Sequence, residues 1–136
     1  MSITRHKMRE TAFILTFEKI FKGDSIESVE SILENAKEIG EIKLSEDSIA
    51  IFKGIGDNLA EIDEKIKTCL QGWSIARISK VALALLRVAV YEISYANTPV
   101  GVAIDEAVEL AKQYSTQEDA KYINGVLGSF AKTIEQ

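Results

Sequence analysis

The sequence is poor in the side chains on which most enzymes and metal sites depend. It contains one cysteine, Cys69, and one histidine, His6. A single cysteine excludes an intramolecular disulfide, and Cys69 falls on an apolar helical stripe, where a buried, inert thiol is expected. No activated nucleophile has an evident base, and no Glu-x-x-His pairing offers a helical metal site. We therefore predict a binding protein without catalytic activity, metal or cofactor.

Long apolar segments are also missing. The first five residues lack the apolar stretch of a secretory signal, and the longest apolar run, 81–91, is interrupted by Arg87. That run is about half the length that a bilayer requires, so it predicts a buried core helix and not a membrane span. Together with the low cysteine content, this predicts a cytoplasmic protein.

Proline and glycine seldom interrupt the chain, with one proline and eight glycines in 136 residues. Apolar residues make up 46% and charged residues 27%, which is the balance of an ordinary folded domain. A chain of this length buries roughly two-thirds of its unfolded surface, enough for one hydrophobic core. We expect a single domain over 1–136.

The formal net charge of −5 means that the protein as a whole repels nucleic-acid phosphates. Any nucleic-acid site must therefore be a local basic patch. One candidate lies near the start of the chain, where Arg5, Lys7 and Arg9 precede the first acidic residue, Glu10. Charge alone leaves an ordinary solvated helix start as an equally good explanation.

Apolar residues recur every three or four positions almost throughout, which is the period of an α-helix. The pattern predicts an all-α domain of six helices or slightly more, joined by short connections into a compact bundle. The predicted helices span about 4–22, 25–39, 45–69, 78–95, 100–114 and 116–134, with breaks that include Gly23, Asp24, Trp73 and Pro99.

Aromatic rings beside basic side chains are the remaining feature that suits RNA. Lys121 and Tyr122, near the start of the last predicted helix, combine a phosphate-binding charge with a ring that can stack on a base. Without other information, this pair is a weak signal.

Three segments of the C-terminal half resemble the NusB family in their residues, order and spacing. They are LRVAVYEI at 86–93, PVGVAIDEAVELAK at 99–112 and KYINGVL at 121–127. Residues 9–12, with the basic residues before them, are similar to that family's arginine-rich opening. The resemblance implies an all-helical fold of six to seven helices in two packed bundles.

The resemblance also implies a function and partners. Members of the family are transcription antitermination factors that bind the boxA element of ribosomal RNA transcripts together with the ribosomal protein NusE. This pair acts as an adaptor within a larger antitermination complex on RNA polymerase. The family includes monomers and dimers, so a homodimer is an open alternative.

RNA-binding roles carry over to eight residues of this sequence. Arg5, Lys7 and Arg9 fall on the family's basic start, which contacts RNA phosphates. Phe17 stands where the family usually has a tyrosine, so a ring for stacking is kept, although a core phenylalanine explains it equally well. The other four positions, on the last predicted helix, are Glu118, Lys121, Tyr122 and Asn124.

For some of these residues, a purely structural role is an alternative to RNA binding. Glu118 suits a helix N-terminus, and Asn124 could bond a neighbouring backbone. Gly125, the next residue, could allow close packing between helices.

The partner protein is expected along 75–95, the fourth predicted helix and its approach. Here the sequence departs from many relatives, which carry an acidic residue where Ala82 stands. Ile75, Ala76 and Ile78 also occupy a region that is often charged in the family. The resemblance therefore assigns no partner contacts to individual residues.

Two other functions stay open. A NusB-like RNA-binding domain precedes the catalytic domain of some ribosomal RNA methyltransferases, but this sequence has no glycine-rich strand-turn-helix signal before it stops at Gln136. A purely protein-interacting helical bundle would not touch RNA. Specific binding of boxA RNA, alone or with the small ribosomal partner, would distinguish an antitermination factor from such a protein-interacting bundle.

Overall fold

The computed structural model describes residues 4–22, 26–40, 43–72 and 74–134, with the backbone alone for 26–28. Within these ranges the chain forms seven α-helices and one short 3₁₀ helix, and it has no strand. The helices are α1 (Arg5–Lys22), α2 (Ile26–Ile39), α3 (Glu46–Asp57), α4 (Leu59–Lys67), α5 (Lys80–Tyr95), α6 (Val100–Tyr114) and α7 (Gln117–Ile134), with the 3₁₀ helix at Ile75–Arg77.

The predicted all-α class is confirmed. Five of the six predicted helices match observed ones to within about two residues, which is the ordinary uncertainty of a helix end. Pro99 precedes the first turn of α6, the position that proline tolerates best. Gly23, Asp24 and Trp73, which were expected at breaks, lie outside the described residues.

The single helix predicted over 45–69 is wrong, because the chain forms α3 and α4 there. Asn58 interrupts the helix with φ −120° and ψ 21°, and its side-chain amide donates to the Gly54 carbonyl at 2.8 Å. Ile55 and Ile62, on either side of the break, are both buried. The apolar stripe thus continues across the interruption, so periodicity alone could not reveal it.

α5 lies at the centre of the larger of two hydrophobic clusters. Ten of its residues are buried, and α1, α3, α4, α6 and α7 all pack against it. This agrees with its sequence, since a helix that is apolar nearly all round belongs in the interior. None of the described helices is both long and apolar enough to cross a bilayer.

A smaller cluster joins α1, α2 and α3. Its buried members are Leu15, Ile32, Leu33, Ala36 and Phe52. α1 contributes to both clusters, since Ala12 and Phe13 belong to the larger one. The two clusters are the cores of the two packed bundles that the family resemblance implied, and α3 also contributes to both, since Ile51 and Ile55 belong to the larger one.

A buried ion pair fixes α1 against α5. Arg9 Nε donates to both carboxylate oxygens of Glu92 at 2.9 Å, and the two residues are 4% and 2% exposed. The Thr98 hydroxyl donates to the same carboxylate at 2.9 Å. A buried carboxylate is stable only when it is paired and hydrogen-bonded in this way. The pair therefore sets the first half of α1 beside the end of α5.

Candidate nucleic-acid interface

Four aromatic side chains form a continuous row along α1 and the end of α6. The ring centroids are 5.2 Å apart for Tyr114 and Phe13, 6.0 Å for Phe13 and Phe17, and 5.0 Å for Phe17 and Phe21. The phenylalanines are four residues apart, which places them on one face of α1. Phe13 is buried, Phe17 is half-buried, and the outer members Tyr114 and Phe21 are 41% and 62% exposed. We call these four residues the aromatic row.

The basic residues at the start of α1 have different surroundings. Arg5 is exposed, and Lys7 is exposed with its Nζ 2.7 Å from Glu10 Oε1. Arg9 is buried against Glu92, and the phosphate contact predicted for it therefore needs correction. Because its guanidinium already neutralises an internal carboxylate, Arg9 holds α1 in place, and Arg5 and Lys7 remain the basic candidates for an RNA contact.

Glu10 connects the basic start with the aromatic row. Its Oε2 accepts hydrogen bonds from Tyr114 Oη at 2.7 Å and from Gln113 Nε2 at 3.1 Å. The hydrogen bonds from Lys7 and Tyr114 hold the pKa of Glu10 below its ordinary value, although burial opposes them. Burial and the neighbouring carboxylate raise the pKa of Tyr114 to about 12, so its hydroxyl stays a donor at neutral pH.

Hydrogen bonds tie the first turn of α7 to the first turn of α5. Ser79 caps α5 by accepting from the Ala82 amide at 3.0 Å, and its hydroxyl donates to Asp119 Oδ2 at 2.9 Å. The Ser115 hydroxyl donates to the same oxygen, and the Asp119 amide donates to Thr116 Oγ1 at 3.0 Å. The Asp119 carboxylate therefore holds the N-terminal end of α7 against the start of α5.

Tyr122 separates two clefts of about 300 Å³ each. Its ring is half-buried between them, and burial raises its pKa. Its hydroxyl is buried and has no hydrogen-bond partner in the described part of the chain. The first cleft is lined by 69–71 and by Lys121, Tyr122, Gly125 and Val126, and the second by 77–79 and by Glu118, Asp119 and Tyr122.

Of the residues predicted on the last helix, the fold brings three together. Glu118, Lys121 and Tyr122 all line these clefts, and the first two are exposed. Asn124 is also exposed, but it lines neither cleft. Phe17 lies apart from them in the aromatic row.

Sequence reasoning missed the contact that links the aromatic row to the second cleft. The Lys80 ammonium lies 5.7 Å from the centroid of the Phe21 ring, and Lys80 directly follows Ser79, which lines that cleft. Phe21 has the helical period of Phe13 and Phe17, so the pattern predicts burial, yet it is 62% exposed. Only the folded structure identifies this pair.

Close packing between helices does not explain the glycine at position 125. A Cβ at Gly125 would meet nothing within 4 Å, and the same holds for Gly128, nearly one turn later. A glycine inside a helix destabilises it by roughly 0.5–1 kcal/mol relative to alanine. Gly125 differs from Gly128 in that it lines the first cleft beside Tyr122.

We expect Arg9→Met to lower the free energy of unfolding by about 3–5 kcal/mol, because loss of one partner leaves a buried carboxylate uncompensated. Arg5→Met, at an exposed position on the same helix, should change it by no more than about 0.5 kcal/mol. Urea denaturation followed by circular dichroism measures both. A similarly small effect for the two variants would contradict the structural role of Arg9.

Gly125→Ala should raise the free energy of unfolding by roughly 0.5–1 kcal/mol, since alanine favours the helix and its Cβ enters open space. Gly128→Ala is the matched control on the same helix and should stabilise the fold by a similar amount. Thermal unfolding of the two variants and the wild type gives the comparison. Destabilisation by Gly125→Ala alone would restore a packing role for this residue.

Comparisons with known proteins agree on one family. The model of the NusB family matches residues 6–132. The transcription antitermination protein NusB of Pseudothermotoga lettingae is 44% identical over 131 residues, which cover 95% of this chain and 91% of that protein. The transcription antitermination protein NusB of Clostridium botulinum is 40% identical over 140 residues, with 93% and 98% covered.

Solved structures give the same result. The structure of T. maritima NusB has a TM-score of 0.84 and 36% identity, covering 97% of this chain and 93% of that one. A chain in a crystal structure of the antitermination factors NusB and NusE in complex with double-stranded RNA has a TM-score of 0.80 and 26% identity. That match covers 95% of this chain and 96% of the other.

Proposed function

Since this chain belongs to the NusB family, we propose that it is a transcription antitermination factor that binds boxA-type RNA together with a NusE-type ribosomal protein. In this role it is an adaptor between ribosomal RNA transcripts and the antitermination complex on RNA polymerase. The family predicted from the sequence motifs is confirmed. The relatives that match over nearly their whole length are antitermination proteins, which favours this function over that of a methyltransferase domain.

The observation that carries the proposal is a series of neighbouring basic and aromatic side chains, in which the exposed members are linked through the buried Glu10 and Phe13. It begins at Arg5 and Lys7, continues through Glu10 to the aromatic row, and ends at the two clefts beside Tyr122. We call this surface the RNA face. Lys7 and Phe21 are separated by about 21 Å along α1, since a helix rises about 1.5 Å per residue. About six stacked nucleotides would span that distance.

Each part of the RNA face suits a different part of an RNA strand. Arg5, Lys7 and Lys121 supply exposed cations for phosphates. Phe17 and Tyr122 offer partly exposed rings for base stacking, which is the usual means of holding unpaired bases. An RNA phosphate at Lys7 must compete with the buried Glu10 carboxylate, whose Oε1 lies 2.7 Å from the exposed Lys7 ammonium.

Glu118 and Asn124 are proposed to contact base edges. The Glu118 carboxylate can accept from the amino group of a base, and the Asn124 amide can both donate and accept. Both side chains are exposed on α7, on either side of Lys121 in the sequence. Polar side chains of this kind select bases and contribute little non-specific attraction, which suits a protein of net charge −5.

Burial limits which side chains within 75–95 we propose for contact with a NusE-type partner. All residues from Ala82 to Val90 are buried, and all except Arg87 belong to the larger cluster. Exposed side chains of this segment lie before them, at Ala76, Arg77, Ser79 and Lys80. We therefore place the partner contacts at the ends of α5 and at its approach, where the partner would meet the RNA face at the second cleft, and not along the centre of α5.

Arg5, Lys7 and Lys121 replaced together by alanine should weaken boxA RNA binding at least about tenfold and reduce its salt dependence. Each phosphate contact to a single strand contributes a slope of about 0.7 in log K against log salt, so the slope should fall by about two. Fluorescence anisotropy with labelled boxA RNA, with and without the NusE-type partner, measures both quantities.

The matched control replaces Lys37, Lys43 and Lys53 by alanine, which changes the net charge equally at exposed positions on or near α2 and α3. This control should retain affinity and slope within about twofold. A scrambled RNA tests specificity. Equal losses in the two triple variants, or equal affinity for boxA and scrambled RNA in both conditions, would contradict the proposed function.

A further inference from the structure

We propose that RNA binding by this chain is coupled to the uptake of a proton by His6, whose Nε2 then donates a hydrogen bond to an RNA phosphate. This inference rests on the proposed function and makes the affinity for RNA depend on pH. His6 lies in the first turn of α1, between the exposed residues Arg5 and Lys7, and it is the only histidine of the sequence.

One nitrogen of the His6 ring is occupied within the protein. Nδ1 lies 2.5 Å from Glu106 Oε2, which is a hydrogen-bond distance. Because an ionised carboxylate can only accept, Nδ1 must carry the proton and donate it. A neutral imidazole has a single N–H, so Nε2 of neutral His6 has none. The contact with Glu106 therefore fixes the tautomer of the neutral ring.

The other nitrogen, Nε2, can donate to a phosphate only after the ring is protonated. Phosphate oxygens are acceptors, as is an unprotonated Nε2, whereas the Nε2–H of a charged imidazole donates. The His6 side chain is 41% exposed, and its Nε2 has no hydrogen-bond partner among the described residues. Charged His6 thus offers RNA an accessible donor, and neutral His6 offers only a second acceptor.

The charges around His6 make its proton important for RNA binding. The ionised side chains of this part of α1 and their ion-pair partners on α5 and α6 are Arg5, Lys7, Arg9, Glu10, Glu92 and Glu106. Three cations thus meet three carboxylates, and Asp105 and Glu109 add two exposed carboxylates on α6. While His6 is neutral, cations do not outnumber carboxylates here, so a proton on the ring directly reduces the repulsion of a phosphate.

Two features favour an RNA phosphate as the acceptor. The positive end of the α1 dipole lies at this turn, which contains no acidic residue and attracts anions. Arg5 and Lys7, the two cations proposed to bind RNA phosphates, directly flank His6 in the sequence. A strand that reaches both of them brings its phosphates to the same turn of the helix.

The sign of the pH dependence follows from these contacts. A bound phosphate stabilises the protonated ring, so the complex retains the proton to a higher pH than the free protein does. RNA affinity should therefore be highest at low pH and should fall as pH rises through the range in which histidine loses its charge, about pH 5 to 8.

The experiment measures boxA RNA affinity by fluorescence anisotropy at constant ionic strength between about pH 6 and about pH 8.5. Affinity of the wild type should fall about three- to fivefold over this range, the upper value for one exposed ion pair. His6→Gln, which cannot be charged, should bind at every pH like the wild type at high pH. His6→Arg, which is always charged, should keep the affinity of the wild type at low pH.

The matched control combines His6→Gln with Lys53→His, which moves the histidine to an exposed position on α3. The pH dependence should not return in this variant. Any titration of the chain terminus or of the NusE-type partner is common to all variants, so only the difference from His6→Gln is attributed to His6. Coincident thermal unfolding curves at each pH would show that the variants retain the fold.

An NMR titration of the His6 ring measures the coupling directly. Because the sequence has one histidine, its ring carbons give a single assignable set of signals. The midpoint of their titration should lie about 0.7 pH units higher in the RNA complex than in the free protein, which corresponds to fivefold in affinity. A residue that only supported the fold would keep the same midpoint in both states.

Failure of this inference is distinguishable from failure of the proposed function. If the wild type binds boxA RNA specifically, but with the same pH profile as His6→Gln and an unmoved ring titration, the coupling is overturned and the function stands. If the difference from His6→Gln appears only with the NusE-type partner present, His6 faces protein and the inference is also wrong. If the wild type shows no specific binding at any pH, the proposed function fails first.

Discussion

Arg9 and Glu92 bring two opposite charges into the interior, where neither could remain alone. Removing water from both is costly, and their attraction offsets that cost only in a well-defined geometry with further hydrogen bonds, such as the one that Thr98 donates. The pair therefore permits one placement of α1 against α5. From that placement follow the contact of Glu10 with Tyr114 and the alignment of the aromatic row with the start of α5.

This constraint also decides which basic residues can reach a ligand. Arg87, inside the family motif at 86–93, is occupied as well, since its guanidinium donates two hydrogen bonds of 2.9 Å to Asp63. Two arginines thus stabilise the fold, and few cations remain on the RNA face. An acidic protein with so few free cations gains little non-specific affinity, so selectivity must come from stacking, base-edge contacts and a protein partner.

Features that depend on local periodicity could be predicted from the sequence. Features that depend on contacts between distant residues could not. The apolar period located α1, α2, α5, α6 and α7, and the motif at 121–127 located Lys121 and Tyr122. The apolar period did not reveal the break at Asn58. A side chain that donates to a backbone carbonyl can interrupt a helix without disturbing the apolar stripe. The prediction of an RNA contact for Arg9 also failed, because its burial depends on the Glu92 carboxylate that α5 places beside it.

The central claim is that RNA binds along the RNA face, from the basic start over the aromatic row to the first turns of α7. An NMR titration of the isotope-labelled protein with boxA RNA tests it residue by residue. We expect the amide signals that shift to be confined to α1, to residues 77–79 and to residues 118–125, while those at the end of α2 and along α3 stay unchanged. Shifts centred on α2 and α3, with α7 unaffected, would contradict the claim.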